Sequence, residues 1–259
     1  MHGSFIWYEL VTPDPAAAVE FYGKVVGWES RDSGMPGDFK YTIVQVPGYP
    51  MGVGGVMELT PEMAAGGVPP NWASYVAVDD TDAMVAAFVA EGGVSCIPIK
   101  DIPGVGRFAV VADPQGAVIN LLSPFPPEGG MPPEPPANAP GTFGWRELMT
   151  TNSAAAFDFY SRMFGWQKDM SVDMGSMGVY QTVKLGDTMI AGMMDKLPEM
   201  PRSFWGYYIN VEAAQAGLER VKAAGGQVLE GPMEVPGPSW IVQCIDPQGA
   251  HFALVAPKV

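Results

Sequence analysis

The sequence predicts an α+β protein made of two similar halves, each half being two copies of a small strand–helix–three-strand unit. Three observations carry this. The chain repeats itself in order: EFYGKVVGWE (20–29) returns as DFYSRMFGWQ (158–167), KYTIVQV (40–46) as VYQTVKL (179–185), NWASYVAVDD (71–80) as FWGYYINVEA (204–213), and IPGVGRFAVVADPQGA (102–117) as VPGPSWIVQCIDPQGA (235–250). Ordered self-similarity at this scale is the mark of duplication. Within each half, two-residue alternation gives way to helical spacing and back again. Between the halves, FPPEGGMPPEPPANAP (125–140) is proline-rich and reads as an extended linker. The expected division is therefore 1–124, a linker at 125–140, and 141–259.

Taken in order, residues 5–12 alternate and are rich in β-formers. Asp14 is placed to cap a helix that has Pro15 at its first position. That helix runs through Val19, Tyr22 and Val26 and stops at Gly27. Strands are expected at about 39–46 and 52–58. The unit then restarts, with a strand at 72–78, a helix at about 80–91 ended by Gly92 and Gly93, and strands near 94–99, 106–112 and 117–122. Strand–helix–three-strand is thus expected twice per half and four times in the chain. Short strands separated by Gly/Pro turns imply curved, mostly antiparallel sheets.

Composition narrows the function. The formal net charge is −14, which repels phosphate backbones and anionic lipid, so nucleic-acid and membrane-surface partners are not expected. No apolar run is long enough to span a membrane and no secretory signal precedes the first strand. Two cysteines, Cys96 and Cys244, are too few for a disulfide framework, and a cytoplasmic location follows. The chain has no GxxxxGK[ST], G-x-S-x-G or H-E-x-x-H. Gly104, Gly237 and the two D-P-Q-G sequences read as turns.

The F-Y-x-x-x-x-G-W after the first strand, the V-D-D that opens the second helix, and the D-P-x-G before the last strand resemble the vicinal oxygen chelate superfamily. This group includes glyoxalase I, extradiol dioxygenases and the fosfomycin- and bleomycin-resistance proteins. The resemblance covers nearly the whole chain, once per half, and is narrowest to tandem glyoxalase-like proteins, some of them labelled hydroxylases. It implies two tandem glyoxalase-like domains, each of two βαβββ modules with curved sheets around a cavity. In metal-dependent members that cavity holds a divalent ion on a first-strand His, a fifth-strand His and a last-strand Glu. Carried over, these positions are Trp7, Ala73 and Asn120 in the first half, and Trp145, Gly206 and Ala253 in the second. None of the six is a usual ligand. No cofactor and no conventional metal site are expected, although a divergent divalent-metal site remains open through Glu147 and His251.

Alternation along a strand then assigns the faces. With Trp7 in the ligand's place, Glu9 shares its face, and Trp145 and Glu147 repeat the arrangement. This is what the twice-written W-x-E-L (Trp7 and Trp145, 145 − 7 = 138 positions apart) encodes. Tyr75, Tyr208, Asn120 and His251 are aimed inward by the same parity, and Trp72 and Trp205 fall on the opposite face, under the helices. Candidate ligand-binding residues are thus Trp7, Tyr75, Asn120, Trp145, Tyr208 and His251. Trp7 and Trp145 serve equally as ligand wall or as plugs in a vacated metal site. Glu9 and Glu147 are either structural hydrogen-bonding carboxylates or general bases.

The leading expectation is a metal-independent protein that binds a small hydrophobic or aromatic metabolite, as a monomer or homodimer. The alternative is an enzyme of the same fold, a lyase, isomerase or hydroxylase-like catalyst, that uses Glu9 or Glu147 as base. A third reading fills both cavities with the protein's own tryptophans.

Overall fold

In the computed structural model, which describes residues 1–35, 40–126, 130 and 132–259, one strand, one helix and three or more strands recur four times. The first module is β1 (Phe5–Thr12), α1 (Pro15–Val26), β2 (Glu29–Asp32), β3 (Tyr41–Gln45) and β4 (Gly52–Glu58). After the short helix α2 (Pro61–Ala65) comes the second, β5 (Asn71–Ala77), α3 (Thr81–Ala90), β6 (Val94–Ser95), β7 (Lys100–Ile102), β8 (Gly106–Ala112) and β9 (Val118–Pro124). The third is β10 (Phe143–Thr150), α4 (Ser153–Phe164), β11 (Gln167–Asp173), β12 (Val179–Leu185) and β13 (Thr188–Asp195). The fourth is β14 (Phe204–Asn210), α5 (Ala214–Ala223), β15 (Gln227–Val235), β16 (Ser239–Ile245) and β17 (His251–Ala256).

The helix signals act as their chemistry requires. Asp14 accepts from Ala17 N–H and Asn152 from Ala155 N–H, each capping a helix start at 3.0 Å. Gly27 and Gly165 end those helices at φ +81° and +71°, the left-handed conformation only glycine adopts without strain. The strand expected from residue 39 begins at Tyr41, and residue 39 itself lies outside the described residues. Of the strand expected at 94–99 only Val94–Ser95 forms, as β6, and a separate short strand, β7, follows at Lys100–Ile102.

In each module the first strand lies parallel to the last and antiparallel pairs follow. The orders are β2-β3-β4-β1, β5-β9-β8-β6, β11-β12-β13-β10 and β14-β17-β16-β15. Corresponding registers repeat: Glu9 is opposite Gly55 and Glu147 opposite Gly192, while Tyr75 is opposite Asn120 and Tyr208 opposite Ala253.

The chain forms two compact units, and each draws a module from either half of the sequence. One holds Met1–Ile6, Ala73–Gly130 and Arg146–Gly206; the other holds Trp7–Trp72, Met131–Trp145 and Tyr207–Val259. The repeated sequence motifs supply the fastenings. In the second unit, Trp72 Nε1 donates to the Tyr22 hydroxyl (2.8 Å), which donates to Asp246 (3.1 Å). In the first unit, Trp205 Nε1 donates to the Tyr160 hydroxyl (3.1 Å), which donates to Asp113 (3.1 Å). Both aspartates are buried, and each also accepts from the backbone N–H of the glutamine in its own D-P-Q-G turn and of the alanine that follows the turn. Trp28 Nε1 donates to the Gly141 carbonyl, and Trp166 Nε1 to the Gly3 carbonyl.

F-Y, G-W and D-P-Q-G are therefore the residues by which a module of one half grips a module of the other. Around them the aromatic rings pack edge to face, Tyr22 with Trp72 and Phe252 in one unit, Tyr160 with Trp205 and Phe159 in the other. Trp72 and Trp205 lie on the helix side, as their parity predicts. The end of the proline-rich segment is also tied down: Asn210 Nδ2 donates to the Ala137 carbonyl, and Gly141 N–H to the Asn210 carbonyl.

Candidate functional site on the sheet faces

The first module builds a patch in the second unit from three adjacent strands. Tyr8 and Leu10 of β1 are buried while Trp7 and Glu9 keep partial exposure, so burial alternates from Trp7 to Leu10, beyond which Val11 and Thr12 are both buried. Glu9 faces Gly55 of β4, and Tyr41 lies one strand further out on β3. A Cβ on Gly55 would overlap the Tyr41 hydroxyl. The missing side chain is a lane through which the tyrosine crosses β4 to reach Glu9. Gly52 does the same for the indole, since a Cβ there would stand 2.9 Å from the Trp7 ring.

The Tyr41 hydroxyl accepts from Trp7 Nε1 at 2.8 Å and is hydrogen-bonded to the Glu9 carboxylate. Burial first, and the Glu9 charge second, push this hydroxyl well above the ordinary tyrosine range, so it stays protonated and donates. The third module repeats the lane in the first unit, where Gly192 is opposite Glu147 and a Cβ on Gly192 would overlap the Tyr180 hydroxyl.

The second and fourth modules carry the remaining candidates. In the first unit Tyr75 and Asn120 are register partners, both buried, and the Phe108 ring lies 6.4 Å from that of Tyr75. In the second unit Tyr208 and Ala253 are partners, and Ala253 is opposite Gln243 on β16. Gln243 Nε2 reaches across the small Ala253 side chain and donates to the Tyr208 hydroxyl at 2.7 Å. Trp145 packs against Tyr208, Ile241 and Ala253. The Trp145 indole thus lies against the cluster that holds Ala253. His251, two residues before Ala253, points to the same face. Burial lowers its pKa to about 4, so it is neutral near pH 7.

Within single units the structure thus brings together Trp7 with Glu9, Tyr75 with Asn120, and Trp145 with Tyr208. Sequence reasoning missed Gln243, Phe108 and the glycines at 52, 55 and 192. The signal available for the glycines was their place beside the repeated tyrosines: Gly55 and Gly192 occupy matching registers opposite the two glutamates. Among the described residues no group of three or more His, Cys, Asp and Glu side chains is placed to hold a metal ion. No described helix is long and apolar enough to cross a membrane.

The four modules, their parallel first-to-last pairing and the duplicated registers are the architecture that the sequence resemblance implied. The model of the Glyoxalase/Bleomycin resistance protein/Dioxygenase superfamily matches residues 4–121 and again 142–254. The chain belongs to this superfamily. Among its superfamily relatives, "Putative glyoxylase CFP32" of Mycobacterium tuberculosis is 33% identical over 97% of this chain and 94% of its own. "Anthracycline biosynthesis protein DnrV" of Streptomyces peucetius is 30% identical over 98% of this chain and 93% of its own. Solved structures share the fold at low identity. The Mn(II)-bound glyoxalase from Novosphingobium aromaticivorans matches with a TM-score of 0.67 at 14% identity, covering 99% of this chain and 82% of that one. The 2,3-dioxygenase LapB from Pseudomonas sp. KL28 matches with the same TM-score and identity, covering 99% and 93%. This glyoxalase-superfamily chain is thus α+β, with two tandem glyoxalase matches and curved, open sheets.

Proposed function

We propose that this glyoxalase-superfamily protein binds a small hydrophobic or aromatic metabolite against its sheet faces, without the metal centre of its metal-dependent relatives. The observation that carries the reading is the side-chain chemistry at the six positions where those relatives place ligands. Trp7, Ala73, Asn120, Trp145, Gly206 and Ala253 offer one amide oxygen and no imidazole, thiolate or carboxylate, which does not fit a divalent ion. In the second half that space holds the Trp145 indole and the Gln243–Tyr208 hydrogen bond instead. Flat aromatic walls with a few fixed polar groups suit a planar molecule with a polar edge. The relatives named for anthracycline biosynthesis are in keeping with a planar aromatic ligand.

Glu9 accepts the Tyr41 hydroxyl with one of its carboxylate lone pairs, which fixes the carboxylate as an oriented polar group on the face. On this reading the partners are small molecules rather than nucleic acid or membranes. The protein works in the cytoplasm, as a monomer or homodimer.

Elemental analysis of untagged protein, joined to thermal-shift scans with Mn²⁺, Fe²⁺ and Zn²⁺ and with a panel of planar aromatic compounds, tests the proposal. The expected result is substoichiometric metal, no stabilisation by any of the ions, and stabilisation by an aromatic compound. An ion bound at one per chain overturns it.

A further inference from the structure

The face built by β14, β16 and β17 differs from its counterpart in the first half at two matching register positions. Register places Val110 where the second half has Gln243, because Val110 is opposite Asn120 as Gln243 is opposite Ala253. It places Val118 where the second half has His251, because Val118 is opposite Ala112 as His251 is opposite Ile245. The first-half face is apolar at both positions. The second-half face is polar at both, beside the partly exposed Trp145 indole.

Gln243 is held at one end only. Its Nε2 is fixed by the Tyr208 hydroxyl at 2.7 Å, which sets the plane of the amide. Its Oε1 is buried and has no hydrogen-bond partner among the protein groups. Buried amide oxygens are almost always satisfied. One that is anchored to Tyr208, in the cluster against which Trp145 packs, is a preset acceptor. His251 is neutral near pH 7 and adds no charge to this face.

We infer that Gln243 is the specificity-determining residue of the second-half face, and that it selects planar aromatic ligands carrying a hydrogen-bond donor at the ring edge, a phenolic hydroxyl or a ring N–H. The ring lies on Trp145 and its donor meets Gln243 Oε1. At the matching position of the first half Val110 supplies no acceptor. The inference rests on the binding function proposed above and names its ligand class.

Calorimetric titration of the full chain with 2-naphthol and with 2-methoxynaphthalene tests it. The two probes share a ring system and differ in the donor. The wild-type protein should bind naphthol about tenfold more tightly, the worth of one buried hydrogen bond. Gln243→Leu and Gln243→Met should abolish that preference, bringing the ratio of the two affinities to about one while both probes still bind, a pattern that loss of structure does not produce. Should both variants misfold, the wild-type protein still decides: naphthol, and not its methyl ether, should shift the Gln243 side-chain amide resonances. Binding of both probes without preference, or a preference that survives in the Gln243 variants, overturns the assignment and leaves the binding function standing. Binding of neither overturns both.

Discussion

At Gly55 and Gly192 a hydrogen atom in place of a side chain decides what the neighbouring strands can do. Each glycine lets a tyrosine from the outer strand pass over the middle one toward the glutamate beyond. Ala253 plays a similar part, being small enough for Gln243 to reach Tyr208. The sequence announced the glutamates and the tyrosines, because both are repeated and chemically conspicuous. The glycines were hidden, since a glycine in a strand reads first as a bulge or a weakness. Gln243 was hidden for another reason: the first half has Val110 in its place, so comparing the halves gave no match to notice.

His251 gives a prediction at this scale. Its pKa is about 4 in the fold against 6.5 for the ordinary side chain, because burial disfavours the imidazolium. Between these values the unfolded chain binds a proton that the folded chain refuses. Stability from this residue is therefore fully present above pH 6.5 and lost as pH falls toward 4, by at most about 3 kcal/mol. Asp113 and Asp246, raised by burial, act with the opposite sign near the low end of this window. They are common to the wild type and a His251→Gln variant and cancel in the difference. Urea unfolding of both proteins at intervals from pH 4 to 7 should show the wild type losing stability relative to the variant as pH drops. Parallel curves would falsify the assignment of a buried neutral histidine.

Elements were legible wherever a helix cap or an alternating apolar face marked them. The α1 helix was readable from Asp14, Pro15 and Gly27, and β1 from its alternation. The β2 strand was not: Glu-Ser-Arg-Asp is exposed throughout and has no apolar face. It is a strand because its backbone pairs with β3, from Glu29 opposite Gln45 to Asp32 opposite Thr42. No side-chain pattern records that kind of pairing.

The motifs between elements were visible but their job was not. F-Y, G-W and D-P-Q-G served to recognise the superfamily, yet in the fold they are buried donors and acceptors joining helix, strand and turn. Tyr22 stands between Trp72 Nε1 and Asp246 Oδ2. Replacing it with Phe removes one hydroxyl and strips both neighbours of a partner in a site with no access to water. The expected cost is about 2–4 kcal/mol, with Tyr160→Phe costing a similar amount between Trp205 and Asp113. Chemical denaturation of each variant measures it, and a loss below about 0.5 kcal/mol for either would show that the chain is not a working hydrogen-bond relay.

For the whole molecule, the division legible in the sequence and the division made by contacts run differently along the chain. Duplication and the proline-rich segment separate residues 1–124 from 141–259, whereas each compact unit takes modules from both. This could not be read from the sequence, because pairing between repeats leaves the repeats themselves unchanged. It has a physical consequence. Residues 1–124 contain Tyr22, whose acceptor Asp246 is in the other half, and Asp113, whose donor Tyr160 is in the other half. They also contain Trp28, which donates to Gly141, and Gly3, which accepts from Trp166. Expressed alone, this half must leave those buried groups and their aromatic surroundings in water, at a cost that a domain of this size does not tolerate. Two copies of it, however, hold a full reciprocal set: Tyr22 of each can donate to Asp113 of the other, and Trp28 of each to the Gly3 carbonyl of the other. Residues 1–124 alone should therefore be either unfolded or a homodimer, and adding residues 141–259 should draw them into a one-to-one complex. Light scattering with circular dichroism on the separate and mixed halves decides this. A stable, folded monomer of 1–124 would mean that the fastenings between the halves contribute little, and that each half carries its own core.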